Sequence, residues 1–211
     1  MQKKGLETTK CRLAAVSLNQ WAMDFEGNKK RIIESIEQAK ELGCTYRLGP
    51  ELDITGYSCE DHFLELDTVN HSWEVVADIL EKDYTQNIIC ELGMPVQHKG
   101  ALYNCRIILF NKKVVLVRPK MFMAENGNYR ESRFFTPWAK TAMEELSLPQ
   151  CIQRVTGQKN CPIGVAIIQT NDTEIGVEIC EELWTPKSPH IDLCLDGCEI
   201  ITNASGSYFE L

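Results

Sequence analysis

Glu51 follows the run TYRLGP, Lys120 follows VVLVRP, and Cys180 closes EIGVEIC. Each therefore stands at the carboxyl end of an apolar, strand-like segment, where open α/β sheets concentrate their ligand chemistry. Taken singly, each has an ordinary reading as a solvated strand-end residue. Taken together they are chemically complementary. A thiol attacks an amide carbonyl only as its thiolate, a base has to take its proton, and the tetrahedral oxyanion that results needs positive charge or N–H donors. Glu51 supplies a base, Lys120 a cation and Cys180 a nucleophile. One difficulty is electrostatic: Glu178 precedes Cys180 by two residues, on the same face of a regular strand, and Glu181 and Glu182 follow it. Like charges raise a thiol pKa, so Lys120, a helix N-terminus after the cysteine, or a separate partner for Glu178 is expected to offset them.

Other chemistries are less well supported. A cysteine–histidine pair would draw on His62, His71, His98 or His190, none of which the sequence places beside Cys180. His190, within TPKSPHID, reads as a loop or helix-start residue. There is no G-x-x-x-x-G-K-S/T loop and no G-x-G-x-x-G after a strand, so nucleotide binding by this chain is not expected. The ten cysteines include no C-x-x-C, and Cys194 with Cys198 forms an unmatched C-x-x-x-C, so neither a zinc site nor any other metal site is expected. The opening MQKKGLETTK lacks the apolar core of a signal peptide, and no apolar run approaches the roughly 18 residues of a membrane span. The reading is a cytoplasmic chain with reduced thiols and no membrane partner. With 30 acidic against 22 basic residues the net charge is −8, and Lys29-Lys30-Arg31 is the one basic cluster, which argues against nucleic acid.

The elements that position these residues alternate between strand and helix periods. In a chain of 211 residues with 44% apolar content, they fit one large domain. Arg12 to Leu18 is a strand candidate. From Asn28 to Leu42, Ile32, Ile36 and Ala39 repeat at helical spacing, with Gly43 as a stop. A strand follows at Thr45 to Leu48, then a helix through Trp73, Val76, Ala77 and Leu80, then a strand from Asn87 to Val96. Hairpins are predicted for Cys105 to Phe110 with Val114 to Val117, and for Val165 to Gln169 with Ile175 to Cys180. A last strand runs from Glu199 to Thr202. From Met121 to Pro162 no strand is evident, only a short helix within Leu146 to Val155, and this stretch is expected to be a binding loop. The fold class is α/β: a mixed sheet covered by helices.

Three segments, GPELDITGY, VRPKMFMAENGNYRESRFF and GVEICEELW, resemble the signature regions of the nitrilase (carbon-nitrogen hydrolase) superfamily, with glutamate, lysine and cysteine in the same order. LNQWAMDFEGN, RLGPELDITGYSCEDHF, GNYRESRFFTPW, CEELWTPKSPHIDLCLDG and EIITNASGS are further similar to the glutaminase domains of eukaryotic glutamine-dependent NAD synthetases, and this likeness runs from Cys11 to Leu211. The resemblance implies a four-layer α-β-β-α sandwich. It implies Glu51 as general base, Lys120 as oxyanion stabiliser, Cys180 as nucleophile, Glu131 as a second glutamate orienting the lysine, and the Glu181 N–H completing the oxyanion hole. Tyr129, Glu181, Trp184 and Ser207 match substrate-pocket positions for L-glutamine.

The implied reaction is amide hydrolysis through a thioester, without metal or cofactor. In the family the ammonia passes to an ATP-dependent synthetase domain that amidates deamido-NAD with Mg²⁺. That domain's Ser-Gly-Gly-Leu-Asp-Ser type loop is not in these 211 residues, and the family's glutaminase domain continues beyond the equivalent of Leu211. A domain short of its last strands and helices is therefore expected, forming a homo-oligomer when complete. Two other readings stay open: a stand-alone amidase of another nitrilase branch, and a truncated, inactive interaction module.

Overall fold

Two amphipathic helices form where helical spacing of apolar residues is strongest. In the computed structural model, which describes residues 10–207, α1 spans Phe25–Glu41 and buries Ile32, Ile36 and Ala39. The Asp24 carboxylate caps its start by accepting from the Gly27 N–H at 3.1 Å, and Gly43, at φ +71°, turns the chain away after its end. Helix α2, Leu66–Glu81, buries Trp73, Val76, Ala77 and Leu80 as the sequence predicts. The readings made on the first nine residues and on Tyr208 to Leu211 lie outside the described residues.

Both helices cover a seven-stranded mixed sheet. Its strands are β1 (Leu13–Ala15), β2 (Tyr46–Leu48), β3 (Ile89–His98), β4 (Ala101–Phe110), β5 (Lys113–Pro119), β6 (Glu144–Ser147) and β7 (Asn160–Ile163), in the order β1-β2-β3-β4-β5-β7-β6. Strands β1, β2 and β3 run parallel, β3, β4 and β5 form an antiparallel meander, and β7 returns parallel to β5 with β6 antiparallel to it. Helix α3, Gln150–Thr156, links β6 to β7 and packs on α2. A second, three-stranded sheet contains β8 (Ile168–Gln169), β9 (Glu174–Ile179) and β10 (Ile200–Ala204), in the order β10-β9-β8. Between β9 and β10 lie a 3₁₀ turn, Cys180–Trp184, and helix α4, Pro189–Leu195, which packs on β9.

Strand alternation assigns two different faces to the large sheet. Cys90, Leu92, Met94 and Val96 of β3 and Cys105, Ile107 and Leu109 of β4 join the helix-covered core. The opposite face meets the second sheet, where Ile108 and Leu116 cluster with Val177 of β9. The layers therefore run α-β-β-α, as expected. The space between the sheets is polar as well as apolar. Glu91 accepts from Tyr46 Oη, from Arg106 Nε at 2.8 Å and from Thr202 Oγ1 at 2.9 Å, which ties β2, β3 and β4 to β10 through one fully buried carboxylate. Losing one member of the Glu91–Arg106 pair would strand a charge, a cost of about 3–5 kcal/mol.

The stretch from Met121 to Pro162 departs from expectation. Its second half is not loop: strands β6 and β7 occupy it on either side of the expected short helix, α3, at Gln150–Thr156. The strand EELS is polar and NCPI carries Pro162, so neither has the apolar alternation by which strands are read. The long irregular part is residues 120–143, broken by a 3₁₀ turn at Glu131–Arg133. Strand β4 also starts at Ala101, earlier than expected, because Asn104 and Arg106 interrupt its apolar pattern while serving the polar face. In the second hairpin only Ile168–Gln169 of the predicted first arm pairs. Cys11, Cys44, Cys59, Cys90, Cys105, Cys151, Cys161, Cys180, Cys194 and Cys198 are all free thiols. Among the described residues, no helix is long and apolar enough to cross a membrane.

Candidate active site

Strand ends deliver the three central residues. Lys120 directly follows β5, Cys180 directly follows β9, and Glu51 sits in the turn after β2. Each is then fixed by backbone bonds. The Lys120 N–H donates to the Asn104 carbonyl at 2.8 Å, its own carbonyl accepts from Trp138 N at 2.9 Å, and the Glu51 N–H donates to the Ser205 carbonyl at 3.3 Å. Cys180 lies at φ +44°, in the left-handed region. A non-glycine residue pays about 1–2 kcal/mol for that conformation. The consequence is a sharp bend that ends strand alternation at the thiol.

The side chains form one buried network. Lys120 Nζ donates to Glu51 Oε1 at 2.6 Å and to Glu131 at 2.9 and 2.7 Å, with no solvent exposure of its own side chain. Asn104 Nδ2 donates to Glu51 Oε1 at 2.8 Å and to Glu131 Oε1 at 3.4 Å. The second Glu51 oxygen accepts from Gly206 N at 3.1 Å. Glu131 is held in turn by Tyr57 Oη at 2.8 Å and by Ala124 N at 2.6 Å. Around the thiol, Ser205 Oγ donates to Cys180 Sγ at 3.2 Å, and Ser207 Oγ lies 3.6 Å from it.

Two carboxylates and one ammonium in a dry site cannot all keep their ordinary acidity. Burial, then the Glu51 charge, pushes the Glu131 carboxyl up to about 7, against the opposing pull of Lys120. Lys120 is held above its usual value: desolvation opposes the charge, but Glu51 and Glu131 more than restore it. The Cys180 thiol is raised by burial and by Glu51, and lowered less by Lys120 and by its bonds to Ser205 and Ser207. Lys120 therefore does not outweigh the opposing effects on the thiol. That direction favours the protonated thiol, so attack on an amide needs a base to take its proton.

The anticipated conflict with Glu178 is absent for a structural reason. Its buried carboxylate accepts from the His190 backbone N–H at 2.6 Å and lies 2.8 Å from His190 Nδ1, at the start of α4. His190 is thus a helix-start residue, as its sequence context suggests, and the partner of Glu178.

The structure brings Glu51, Lys120, Glu131, Cys180 and Ser207 together. Tyr129 stands one ring away, edge-on to Tyr57 at 5.7 Å, and both line a pocket with Leu52, Phe63, Glu131 and Phe134. Glu181 is half-buried beside the nucleophile, whereas Trp184, at the far end of the 3₁₀ turn, is 74% exposed.

Several residues of the network escaped the sequence reading. Glu182 is fully buried and accepts from Ile179 N at 2.7 Å, from Met121 N, and from Arg118 Nη1 at 2.6 Å. The sequence alone groups it with Glu178 and Glu181 as an opposing charge. Asn104, Tyr57 and Ser205 were also missed. The one available signal was Asn104 and Arg106 as polar residues inside a strand-length apolar stretch, since a buried polar side chain implies a partner.

Comparison with known proteins identifies the family and the fold. Residues 12–210 match the carbon-nitrogen hydrolase family. The chain is 58% identical over 203 residues to the glutamine-dependent NAD(+) synthetase of Macaca fascicularis, covering 96% of this chain and 29% of that protein. It superposes on a crystal structure of a glutamine-dependent NAD(+) synthetase from Cytophaga hutchinsonii with a TM-score of 0.82 at 29% identity, covering 96% of this chain and 32% of that one. A Nesterenkonia amidase of the nitrilase superfamily shares the fold, with a TM-score of 0.70 at 13% identity over 92% of this chain and 64% of the amidase. The chain thus spans under a third of the length of the synthetases it matches.

Proposed function

The chain belongs to the carbon-nitrogen hydrolase family, and from that premise we propose that it is a glutaminase, hydrolysing the side-chain amide of L-glutamine to glutamate and ammonia. The observation that carries the reading is the buried Glu51–Lys120–Glu131 network beside Cys180, whose left-handed backbone turns it off the end of β9. Glu51 takes the Cys180 proton as sulfur attacks the amide carbon. Lys120 Nζ and the Glu181 backbone N–H stabilise the oxyanion. The C–N bond then breaks, the proton passes from Glu51 to the leaving nitrogen, and ammonia departs from a thioester. A water molecule, deprotonated by Glu51, attacks the thioester and releases glutamate and the free thiol. Glu131 keeps Lys120 fixed and charged beside both. Tyr129 and Ser207 lie at the mouth of the site, where a substrate's α-amino and carboxylate groups need polar partners. Glu181 and Trp184 are the further candidates for contact with the substrate, although Trp184 is 74% exposed at the far end of the 3₁₀ turn.

Identity of 58% to glutamine-dependent NAD(+) synthetases, far above that to the amidases, supports glutamine rather than a simple amide as substrate. In the full-length protein the ammonia would serve a synthetase domain of the same chain, which amidates deamido-NAD. ATP, Mg²⁺ and deamido-NAD belong to that domain's reaction, in a cytoplasmic homo-oligomer, and none takes part in the steps above.

The test is ammonia release from glutamine by the full-length protein with and without Cys180→Ala, together with mass spectrometry of the trapped thioester. Loss of both in the variant is expected. Unchanged ammonia release would overturn the assignment.

A further inference from the structure

The segment after β10 touches both reacting side chains. The Ser205 carbonyl accepts from the Glu51 N–H at 3.3 Å, and the Gly206 N–H donates to Glu51 Oε2 at 3.1 Å. The Ser205 hydroxyl meanwhile donates to Cys180 Sγ at 3.2 Å. Register delivers this placement: β10 pairs in parallel with β9, with Ala204 opposite Ile179, so the residue after each strand end falls beside its counterpart. Ser205 is thus to β10 what Cys180 is to β9. Asn203 Nδ2 adds a bond to the Cys180 carbonyl at 3.3 Å, which holds the two strand exits together.

Donor bookkeeping leaves the Ser205 hydrogen available to sulfur. A serine hydroxyl offers one hydrogen and two lone pairs. Ser207 N donates to Ser205 Oγ at 3.2 Å, and Ser207 Oγ lies 2.6 Å from it. With the oxygen's acceptor side engaged by Ser207, the single hydrogen is free to point at sulfur. With Ser207 Oγ as the donor of its 2.6 Å contact, a chain runs from Ser207 O–H to Ser205 O–H to Cys180 Sγ, in which each bond polarises the next. A hydrogen bond to sulfur is weak while the thiol is neutral and roughly twice as strong once charge develops on it. The interaction therefore favours the thiolate selectively.

We infer that Ser205 is a further catalytic residue, whose hydroxyl stabilises the Cys180 thiolate during proton transfer to Glu51 and again when the thiolate leaves the second tetrahedral intermediate. The inference rests on the glutaminase reading above, with Cys180 as nucleophile. In both steps the proton moves between sulfur and Glu51, while the Ser205 hydrogen stays on its oxygen. Ser207 supports the donor in the free enzyme, and its hydroxyl is the one a substrate can recruit without breaking the bond from Ser205 to sulfur.

The experiment compares Ser205→Ala, Ser205→Thr and Cys180→Ala in the full-length protein. Alkylation of Cys180 by iodoacetamide, followed across pH by peptide mass spectrometry, reads the thiolate directly and does not depend on turnover. Ser205→Ala is expected to move the Cys180 alkylation profile up by about one pH unit, the size of one hydrogen bond to a charged atom. It should lower kcat for ammonia release about tenfold or more with KM for glutamine nearly unchanged. Ser205→Thr, which keeps the hydroxyl, should recover most of both. A Ser205→Ala protein with the wild-type alkylation profile and kcat overturns the inference even if Cys180→Ala is dead. Persistent activity in Cys180→Ala instead overturns the nucleophile assignment, and the alkylation profile still reports whether the Ser205 bond exists.

Discussion

Arg118 and Glu182 form a fully buried ion pair, with Nη1 2.6 Å from Oε1, that bridges the ends of the two strands carrying Lys120 and Cys180. The same carboxylate accepts the N–H groups of Ile179 and Met121, one residue before the nucleophile and one after the lysine. The separation of cation and thiol is therefore set by a single side chain that contacts neither. Removing it leaves Arg118 charged and unpaired in the interior, where Arg118 Nε and Nη2 already lack hydrogen-bond partners among the described residues. Glu182→Ala should cost about 3–5 kcal/mol in urea denaturation, and the double variant Arg118→Met with Glu182→Leu should cost less than either single change. Additive losses in the double-mutant cycle would show that the two residues act independently.

Glu131 gives the folded state a proton that the unfolded chain does not hold at the same pH. Its carboxyl sits at about 7 against an ordinary 4.5. The native state therefore binds this proton more tightly. The sign follows: the contribution to stability is fully present below about 4.5 and is lost as pH rises through about 7, by on the order of a few kcal/mol. Glu131→Gln is neutral at every pH and should flatten that slope. Urea midpoints of both proteins at pH 5.5 and 8 provide the comparison, in which slopes from groups outside the Glu51–Lys120–Glu131 network cancel; parallel slopes would place the proton elsewhere.

Lys120 holds two carboxylates at once, so replacing it has an effect beyond a lost oxyanion contact. In Lys120→Met, Glu51 and Glu131 would face each other without a cation, and burial drives such a pair to take up a proton. Glu51 also loses the 2.6 Å contact to Lys120 Nζ that holds it in place. Loss of kcat by about 10³-fold or more is expected, exceeding the 10²–10³ typical of a single oxyanion donor. Added methylammonium that restored activity in Lys120→Ala would place the effect in the missing charge. A protein that keeps its activity after Lys120→Met would sink the assigned role.

Much of this arrangement is legible in sequence because the chemistry sits at strand ends, and strand ends are marked by apolar periodicity. Ile32, Ile36 and Ala39, or Trp73 and Val76, advertise their helices, and Lys120 and Cys180 each follow a clear apolar run. What is hidden is the polar face of the large sheet. Glu91, Asn104, Arg106 and Arg118 break the alternation by which strands are recognised, and their partners Thr202, Glu51 and Glu182 lie far along the chain or on the other sheet. Spacing carries no information about such pairings. The same fact explains the error over residues 144–163, where the strands are short, polar and interrupted by proline.

Gly93 offers a test of how Glu51 is seated. The turn after β2 lies directly on β3 at this residue: the Gly93 N–H donates to Asp53 Oδ1 at 2.6 Å, and its carbonyl accepts from Ile54 N at 3.1 Å. A Cβ here would stand 2.3 Å from the Leu52 backbone nitrogen and 2.4 Å from Arg106 Nη1. Arg106 is itself fixed by Glu91 and by the carbonyls of Gly49 and Pro50, so neither neighbour can yield alone. Gly93→Ala should therefore push the Glu51–Leu52 backbone off the sheet, at about 1–3 kcal/mol or more of overpacking strain. Because Glu51 is displaced from Lys120 and Cys180 together, kcat should fall further than the stability loss alone accounts for at a temperature where the variant is folded. Gly100→Ala is the control. Its Cβ meets nothing within 4 Å, but φ is +81°, so about 1 kcal/mol of backbone strain is expected with kcat unchanged. Equal activity losses in the two variants, measured as ammonia release at matched folded fraction, would show that the tight seat at Gly93 does not position the base.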